Sequence, residues 1–258
     1  MDSLGIKRYK INKVEISIVN IRRSIELTDR AINNGHKGYI CVTNSRTTYL
    51  ANKDDNYCQI QNNSLLTLPD GAPLVWIAHN LGFTEVGKVS GKDLMDALFE
   101  ISEEKGYSHY FYGSTQKTIE LMKKNILQKY PGLDIKGAVS PPFQPLESFD
   151  IDALAKEINE LSPTFFWCGL GAPKQERLMA ALQPKLQSTI SVGVGLAFEY
   201  YAGTINRAPR WMQNVGLEGV YRLSQQPKNI QRAIKPFSWI ILQVAASLKS
   251  RYTRKNEL

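Results

Sequence analysis

Two stretches of the chain carry residues whose types and spacing suit chemistry. In L-P-D-G-A-P (68–73), Asp70 is a single carboxylate in a Pro-Asp-Gly turn between an apolar run and a helix-compatible segment. A carboxylate there can take a proton from a substrate hydroxyl. It can equally serve as a turn residue or as the N-cap of the helix that follows. The second stretch, T-F-F-W-C-G-L-G-A-P-K-Q (164–175), reads as a strand, a tight turn at Gly169 and Gly171, and a helix start at Pro173 and Lys174. Such a junction presents unpaired backbone N–H groups at the positive end of a helix dipole, an arrangement that holds phosphate. An ordinary strand-to-helix connection would use the same glycines for backbone geometry alone. Gln175 and Glu176 fall about one turn into that helix, close to whatever the loop holds.

Elements that position these residues follow from hydrophobic periodicity. Strand patterns occur at 15–20, 37–43, 63–68, 108–112, 134–139, 164–168 and 189–194, and helical patterns at 24–33, 72–81, 91–104, 115–130, 150–161 and 174–182. Short apolar runs alternating with such helices predict right-handed βαβ units, hence an α/β protein with a Rossmann-like, mostly parallel sheet flanked by helices. Ligands of such sheets bind beyond the carboxyl ends of the strands. The candidates are therefore Thr43 and Asn44, Asp70, Gly113 and Ser114, the 169–175 loop with Lys174 and Gln175, and Gly193 to Gly195.

Composition narrows the function classes. With 258 residues and 43% hydrophobic content the chain can bury one large core or two unequal ones. Residues 1–10 lack the apolar core of a signal peptide, no apolar run reaches bilayer-spanning length, and Cys41, Cys58 and Cys168 have no metal-ligand spacing. A cytoplasmic protein with reduced core thiols is expected. His36, His79 and His109 are scattered, and Asp150-x-Asp152 precedes a helical pattern and reads as a cap, so neither a metal nor a cofactor is expected. Residues 207–258 hold ten Lys or Arg against two Glu, a net +8 that equals the net charge of the whole chain. A basic tail on a neutral body implies an anionic partner. The segment 236–248, P-F-S-W-I-I-L-Q-V-A-A-S-L, is too short to cross a bilayer. Beside the basic K-S-R-Y-T-R-K it can lie on an anionic membrane, or form a core or subunit contact. Two other classes stay in view. An NAD-dependent oxidoreductase would share the glycine turns, but Lys174 and Phe198 stand where the last glycine of each G-x-G-x-x-G would be. A nucleic-acid-binding module would explain the charge but leaves the 68–73 and 169–175 loops without purpose.

Several phrases, in order, resemble the WecG/TagA/CpsF family of bacterial glycosyltransferases: T-N-S-R-T (43–47), L-P-D-G-A-P-L-V-W (68–76), S-G-K-D-L-M (90–95), G-L-G-A-P-K-Q-E (169–176), G-V-G-L-A-F-E-Y-Y-A-G-T-I-N-R-A-P-R-W-M-Q (193–213) and L-E-G-V-Y-R-L (217–223). The resemblance covers about residues 14–234. It implies inverting, metal-independent transfer of a hexose or N-acetylhexosamine from a UDP-sugar to a lipid-linked undecaprenyl-diphosphate saccharide, at the inner membrane face, for teichoic acid or other surface polysaccharides. By motif, Asp70 matches the catalytic base, Gln175 a second active-site residue, and Asn44 a strand-tip residue near the sugar nucleotide. Arg222 and Arg232 match basic residues of a C-terminal appendage that closes over the donor diphosphate. Arg207 is expected to join them in substrate binding, with Thr43, Gly113, Gly169, Gly171, Lys174, Gly193 and Gly195. The implied organisation is a catalytic domain over 1–206 and a basic, partly amphipathic appendage over 207–258. The partners would be a UDP-sugar, a lipid-linked glycan, an anionic membrane surface and a possible second copy of the chain, with no nucleic acid. Gly219, Gln226 and Asn229 depart from the family pattern in the appendage.

Overall fold

The computed structural model describes residues 5–226 and 230–256, so Asn229 and its role in the appendage lie outside the described residues. The chain opens with β1 (Arg8–Ile11) and β2 (Val14–Ser17), an antiparallel pair that forms its own small sheet. The run at 15–20 thus supplies a hairpin strand rather than a member of the main sheet. It stops at Ser17 because Asn20 is already the N-cap of α1 (Ile21–Asn33), its side chain accepting from the Arg23 N–H at 3.0 Å.

Next come β3 (Gly38–Thr43), α2 (Ser45–Lys53), α3 (Asp55–Asn62), β4 (Leu66–Pro69), α4 (Ala72–Asn80), α5 (Gly91–Lys105), β5 (Ser108–Gly113), α6 (Gln116–Lys129) and β6 (Asp134–Val139). They are followed by α7 (Ile151–Leu161), β7 (Phe165–Gly169), α8 (Lys174–Leu182) and β8 (Ile190–Gly193). Six strands form one parallel sheet in the order β4-β3-β8-β7-β5-β6. This is the expected α/β architecture. Alternate residues of the central strands feed two cores, as the two-residue period of a strand requires. Ile40, Val42, Phe111, Phe165, Trp167 and Val192 pack under residues of α1, α5 and α6. Tyr39, Cys41, Tyr110, Phe166 and Cys168 pack under residues of α7 and α8. All three cysteines are buried free thiols. Asp150 caps α7, accepting from the Ala153 N–H at 2.9 Å, as its position before the helical pattern predicts.

The C-terminal region adds α9 (Ala197–Ala202), α10 (Arg210–Asn214), α11 (Glu218–Gln225) and α12 (Ile230–Asn256). A third core joins the hairpin (Tyr9, Ile11, Val14, Ile16) to α3 and α4 and takes Ile240 of α12. Asn80 Nδ2 of α4 donates to Ser247 Oγ of α12 at 3.0 Å. The long basic helix therefore lies against the helix that begins just after Asp70. A face flanking that contact leaves Ile234, Phe237, Ile241, Leu248 and Tyr252 exposed.

Chain direction creates the crevice that matters. From β5 the chain runs outward to β6, and from β7 it runs the other way to β8, so the connections diverge above the adjacent ends of β5 and β7. Gly113 and Gly169 are partners in register there. A Cβ on Gly113, whose φ is +140°, would come within 2.6 Å of the Gly169 carbonyl carbon. Only glycine lets the two strand ends lie this close.

Candidate active site

Asp70 follows the last residue of β4, and its N–H donates to the Thr43 carbonyl at 2.7 Å, fixing it at the carboxyl edge of the sheet beside β3. The N-cap of α4 is Gly71, and no side chain caps that helix. The Asp70 carboxyl is therefore not consumed as the cap of that helix. It is half-buried, and burial pushes its pKa up to about 6, with Glu218 and Asp93 acting the same way against Lys88 and Arg222. A carboxyl tuned to that range is ionised at neutral pH and still basic enough to accept a proton.

The charges around it form a ring that joins the core to the C-terminal region. Arg207 makes a bidentate pair with Asp93 (Nη1 to Oδ1 2.5 Å, Nη2 to Oδ2 2.7 Å), reaches Ser90 Oγ at 3.0 Å, and places Nε 3.2 Å from Glu218 Oε1. The Lys88 ammonium donates to Glu218 Oε2. Burial raises the Asp93 pKa, but hydrogen bonds from Arg207 and Ser90 outweigh it and hold the carboxyl below its usual range. Arg222, one turn after Glu218 on α11, lies near enough to lower the pKa of both Asp70 and Tyr200. The backbone seals this corner. Gly216, at φ +79°, lies so near α4 that an added Cβ would meet Ala72 Cβ at 2.8 Å and the Trp76 ring at 3.2 Å. Arg232 sits near the start of α12 and is exposed.

The loops after β7 and β8 are tied together by one side chain. Gln175, only 3% exposed, accepts at Oε1 from both the Gly171 and Gly195 N–H groups at 3.1 Å, and its Nε2 donates to Glu176 Oε1 at 2.8 Å. This differs from the expectation of an open cradle of main-chain donors at 171–174 and 193–195. Two of those donors are already paired, because the carboxamide points inward where burial demands a partner. Pro173 is the N-cap of α8, with no side-chain cap. Lys174 does not reach toward Asp70: its ammonium donates to the Gln144 carbonyl and lies 4.7 Å from the centre of the Phe149 ring. Thr43 is fully buried with its hydroxyl donating to Gln61 at 2.5 Å, so it meets the site through its backbone. Asn44 caps α2, accepting from the Arg46 and Thr47 N–H groups in a capping box.

At the β5–β7 crevice, Ser114 Oγ donates to Glu199 Oε1 at 2.9 Å. Glu199 Oε2 is buried without a hydrogen-bond partner among the described residues, and burial raises the pKa of its carboxyl. Sequence reasoning passed over Lys88, Ser90, Asp93, Glu199, Tyr200 and Glu218 as individual site residues. Most of them fall within or beside the phrases S-G-K-D, F-E-Y-Y and L-E-G that carried the family resemblance, which was the one signal available for them. Among the described residues, no helix is long and apolar enough to cross a membrane.

Known proteins sharing this sequence pattern include N-acetylglucosaminyldiphosphoundecaprenol N-acetyl-beta-D-mannosaminyltransferases. That of Bacillus subtilis strain 168 is 26% identical over 217 residues, covering 83% of each chain. That of Bacillus spizizenii is 24% identical over 247 residues, covering 95% of this chain and 93% of the relative. That of Staphylococcus aureus strain MW2 is 25% identical over 213 residues, covering 82% of each. The family model described as "Glycosyl transferase WecG/TagA/CpsF family" matches residues 9–254, and the chain belongs to that glycosyltransferase family.

Proposed function

We propose that this protein transfers N-acetylmannosamine from its UDP-sugar to an N-acetylglucosaminyl-diphospho-undecaprenol acceptor, with inversion and without a metal ion, in the synthesis of a teichoic-acid-like polymer. The observation that carries this reading is Asp70, a carboxyl whose pKa is raised to about 6, held at the carboxyl end of β4 beside Arg222 and the paired charges of Lys88, Arg207, Glu218 and Asp93. The relatives' names supply the sugars.

Each step has a residue. The Asp70 carboxylate takes the proton of the acceptor hydroxyl as its oxygen bonds to the anomeric carbon. The bond from that carbon to the β-phosphate oxygen breaks, and UDP leaves with the electron pair. Negative charge grows on the diphosphate in the transition state, so fixed cations aimed there lower the barrier. Arg222 fills that role, while Arg207 and Lys88, paired with Asp93 and Glu218, hold α11 beside Asp70. One base and no enzyme nucleophile means a single displacement, hence inversion. The donor's nucleoside end lies over Gly113 and Gly169, beside the Ser114–Glu199 pair.

Residues 207–258 act as an appendage that completes the site and meets the membrane. The exposed apolar side of α12, with Lys235, Lys249 and Arg251 nearby in sequence, fits an anionic lipid surface where a polyprenyl acceptor resides. Because α12 packs on α4, that surface lies beside the Asp70 corner.

The test is UDP release from a panel of UDP-sugars with a short-chain undecaprenyl-diphosphate-N-acetylglucosamine analogue, run in EDTA. Fast release from UDP-N-acetylmannosamine that depends on the acceptor is expected. Release from another UDP-sugar alone would overturn the donor assignment, and none from any would overturn the reaction.

A further inference from the structure

Beneath the carboxyl edge of the sheet runs a line of buried polar side chains that the chemistry above does not use. Gln175, which ties the Gly171 and Gly195 loops, is braced by Glu176, and Glu176 is fully buried. The Tyr57 phenol of α3 faces the Glu176 carboxyl closely enough that each affects the other's ionisation, although Glu176 Oε2 itself makes no well-formed hydrogen bond. One turn on, Gln61 Nε2 donates to the Tyr57 hydroxyl at 2.9 Å, while Gln61 Oε1 accepts from the Thr43 hydroxyl at 2.5 Å. The Thr43 carbonyl then accepts the Asp70 N–H at 2.7 Å. Tyr57, Gln61, Thr43, Gln175 and Glu176 are each at most 3% exposed.

Apolar side chains would fill this layer more cheaply. A fully buried carboxyl with an orphaned oxygen is destabilising, and such local costs concentrate where function requires them. The line has two functional ends: the loops over which the donor lies and the turn that carries the base.

We propose that Glu176, Tyr57 and Gln61 are positioning residues that hold the donor-side glycine loops in fixed register with the Asp70 turn. This rests on the reading of Asp70 as the base. The relay touches neither substrate. It acts by keeping the distance between two sites that must engage one sugar from opposite sides, and misplacement by about 1 Å costs about 100-fold in rate.

The experiment compares Tyr57→Phe, Gln61→Leu and the double variant with the wild-type full chain. Three quantities are read: kcat for transfer, Kd for UDP, and hydrogen exchange at the Asp70 amide. Each single variant is expected to lower kcat by about 10- to 100-fold, hold Kd for UDP within about twofold, and speed exchange at the Asp70 amide. The double variant is expected to be no slower than the worse single one, because both cut the same line. Glu176→Gln, which keeps an acceptor for Gln175 Nε2, is expected to be faster than Glu176→Leu. Multiplying single effects, Kd rising in step with the loss of kcat, or unchanged Asp70 exchange would each overturn the relay. If wild type releases no UDP, the transferase reading fails on its own, and exchange at Asp70 in the two variants still decides the relay.

Discussion

Replacing Asp70 by Asn is expected to make the protein both inactive and more stable, and the two effects have one cause. An ordinary aspartate titrates near 3.8, whereas burial brings Asp70 to about 6. Because the folded pKa lies above the unfolded one, the fold favours the protonated acid. Its cost is fully present above about pH 6, shrinks as pH falls, and vanishes below about 3.8. At about 1.4 kcal/mol per pH unit, that gap makes ionised Asp70 a burden of at most about 3 kcal/mol at neutral pH. Asparagine removes the charge and keeps the shape, so unfolding at pH 7.5 should shift up by about 1–3 kcal/mol, a rise of a few degrees in Tm. The same change removes the base and should lower kcat by about 10²- to 10⁴-fold with UDP affinity kept. In the wild type, a base of pKa about 6 is about 91% ionised at pH 7 and about 9% at pH 5, so kcat/KM should fall about tenfold across that interval. An aspartate at 3.8 would lose under about 10% over the same range. The assay is UDP release from pH 5 to 8, with calorimetric melting of both proteins. A flat profile, full activity in Asp70→Asn, or a variant that melts lower at pH 7.5 would refute the assignment.

Other outcomes follow from neighbouring contacts. Gln175→Leu leaves the Gly171 and Gly195 N–H groups unpaired and strips Glu176 of a donor, so UDP should bind about 10- to 100-fold more weakly by calorimetry. A Kd within twofold of wild type would contradict the clamp. Arg207→Met removes the shared cation between Asp93 and Glu218 and should cost about 1–3 kcal/mol in chemical denaturation, a partly exposed pair being worth less than a buried one. It should also move the acidic limb of the rate profile to higher pH, because both freed acids raise the Asp70 pKa. Changing Phe237, Ile241 and Leu248 together to Ser should weaken binding to anionic vesicles at least about tenfold. Tm should stay within a few degrees because Ile240 remains anchored. Unchanged flotation would remove the membrane role of that face.

Much of the fold is legible because each central strand is buried on both faces and reads as a short apolar run, as in F-F-W-C at 165–168. The helices at Ser45–Lys53 and Asp55–Asn62 are not. They are short and polar and meet at Asp54, so neither shows a sustained apolar stripe. The hairpin escapes assignment for a different reason: a four-residue strand looks the same whether it pairs with a neighbour or joins the large sheet. For the site, a glycine loop before a helix is a local signal, but whether its N–H groups are open or taken depends on where one glutamine points.

The sequence by itself determined the alternation of β3 to β8 with α1 and α4 to α8, the basic C-terminal region, and the presence of a carboxyl and glycine turns at strand ends, since all of these are local in the chain. Only the tertiary structure decided which groups surround Asp70. Lys88 and Glu218 meet across 130 residues, and Arg207 and Asp93 across 114. No periodicity encodes such separations, and the environment that raises Asp70 to about 6 exists only once packing has excluded water from that corner.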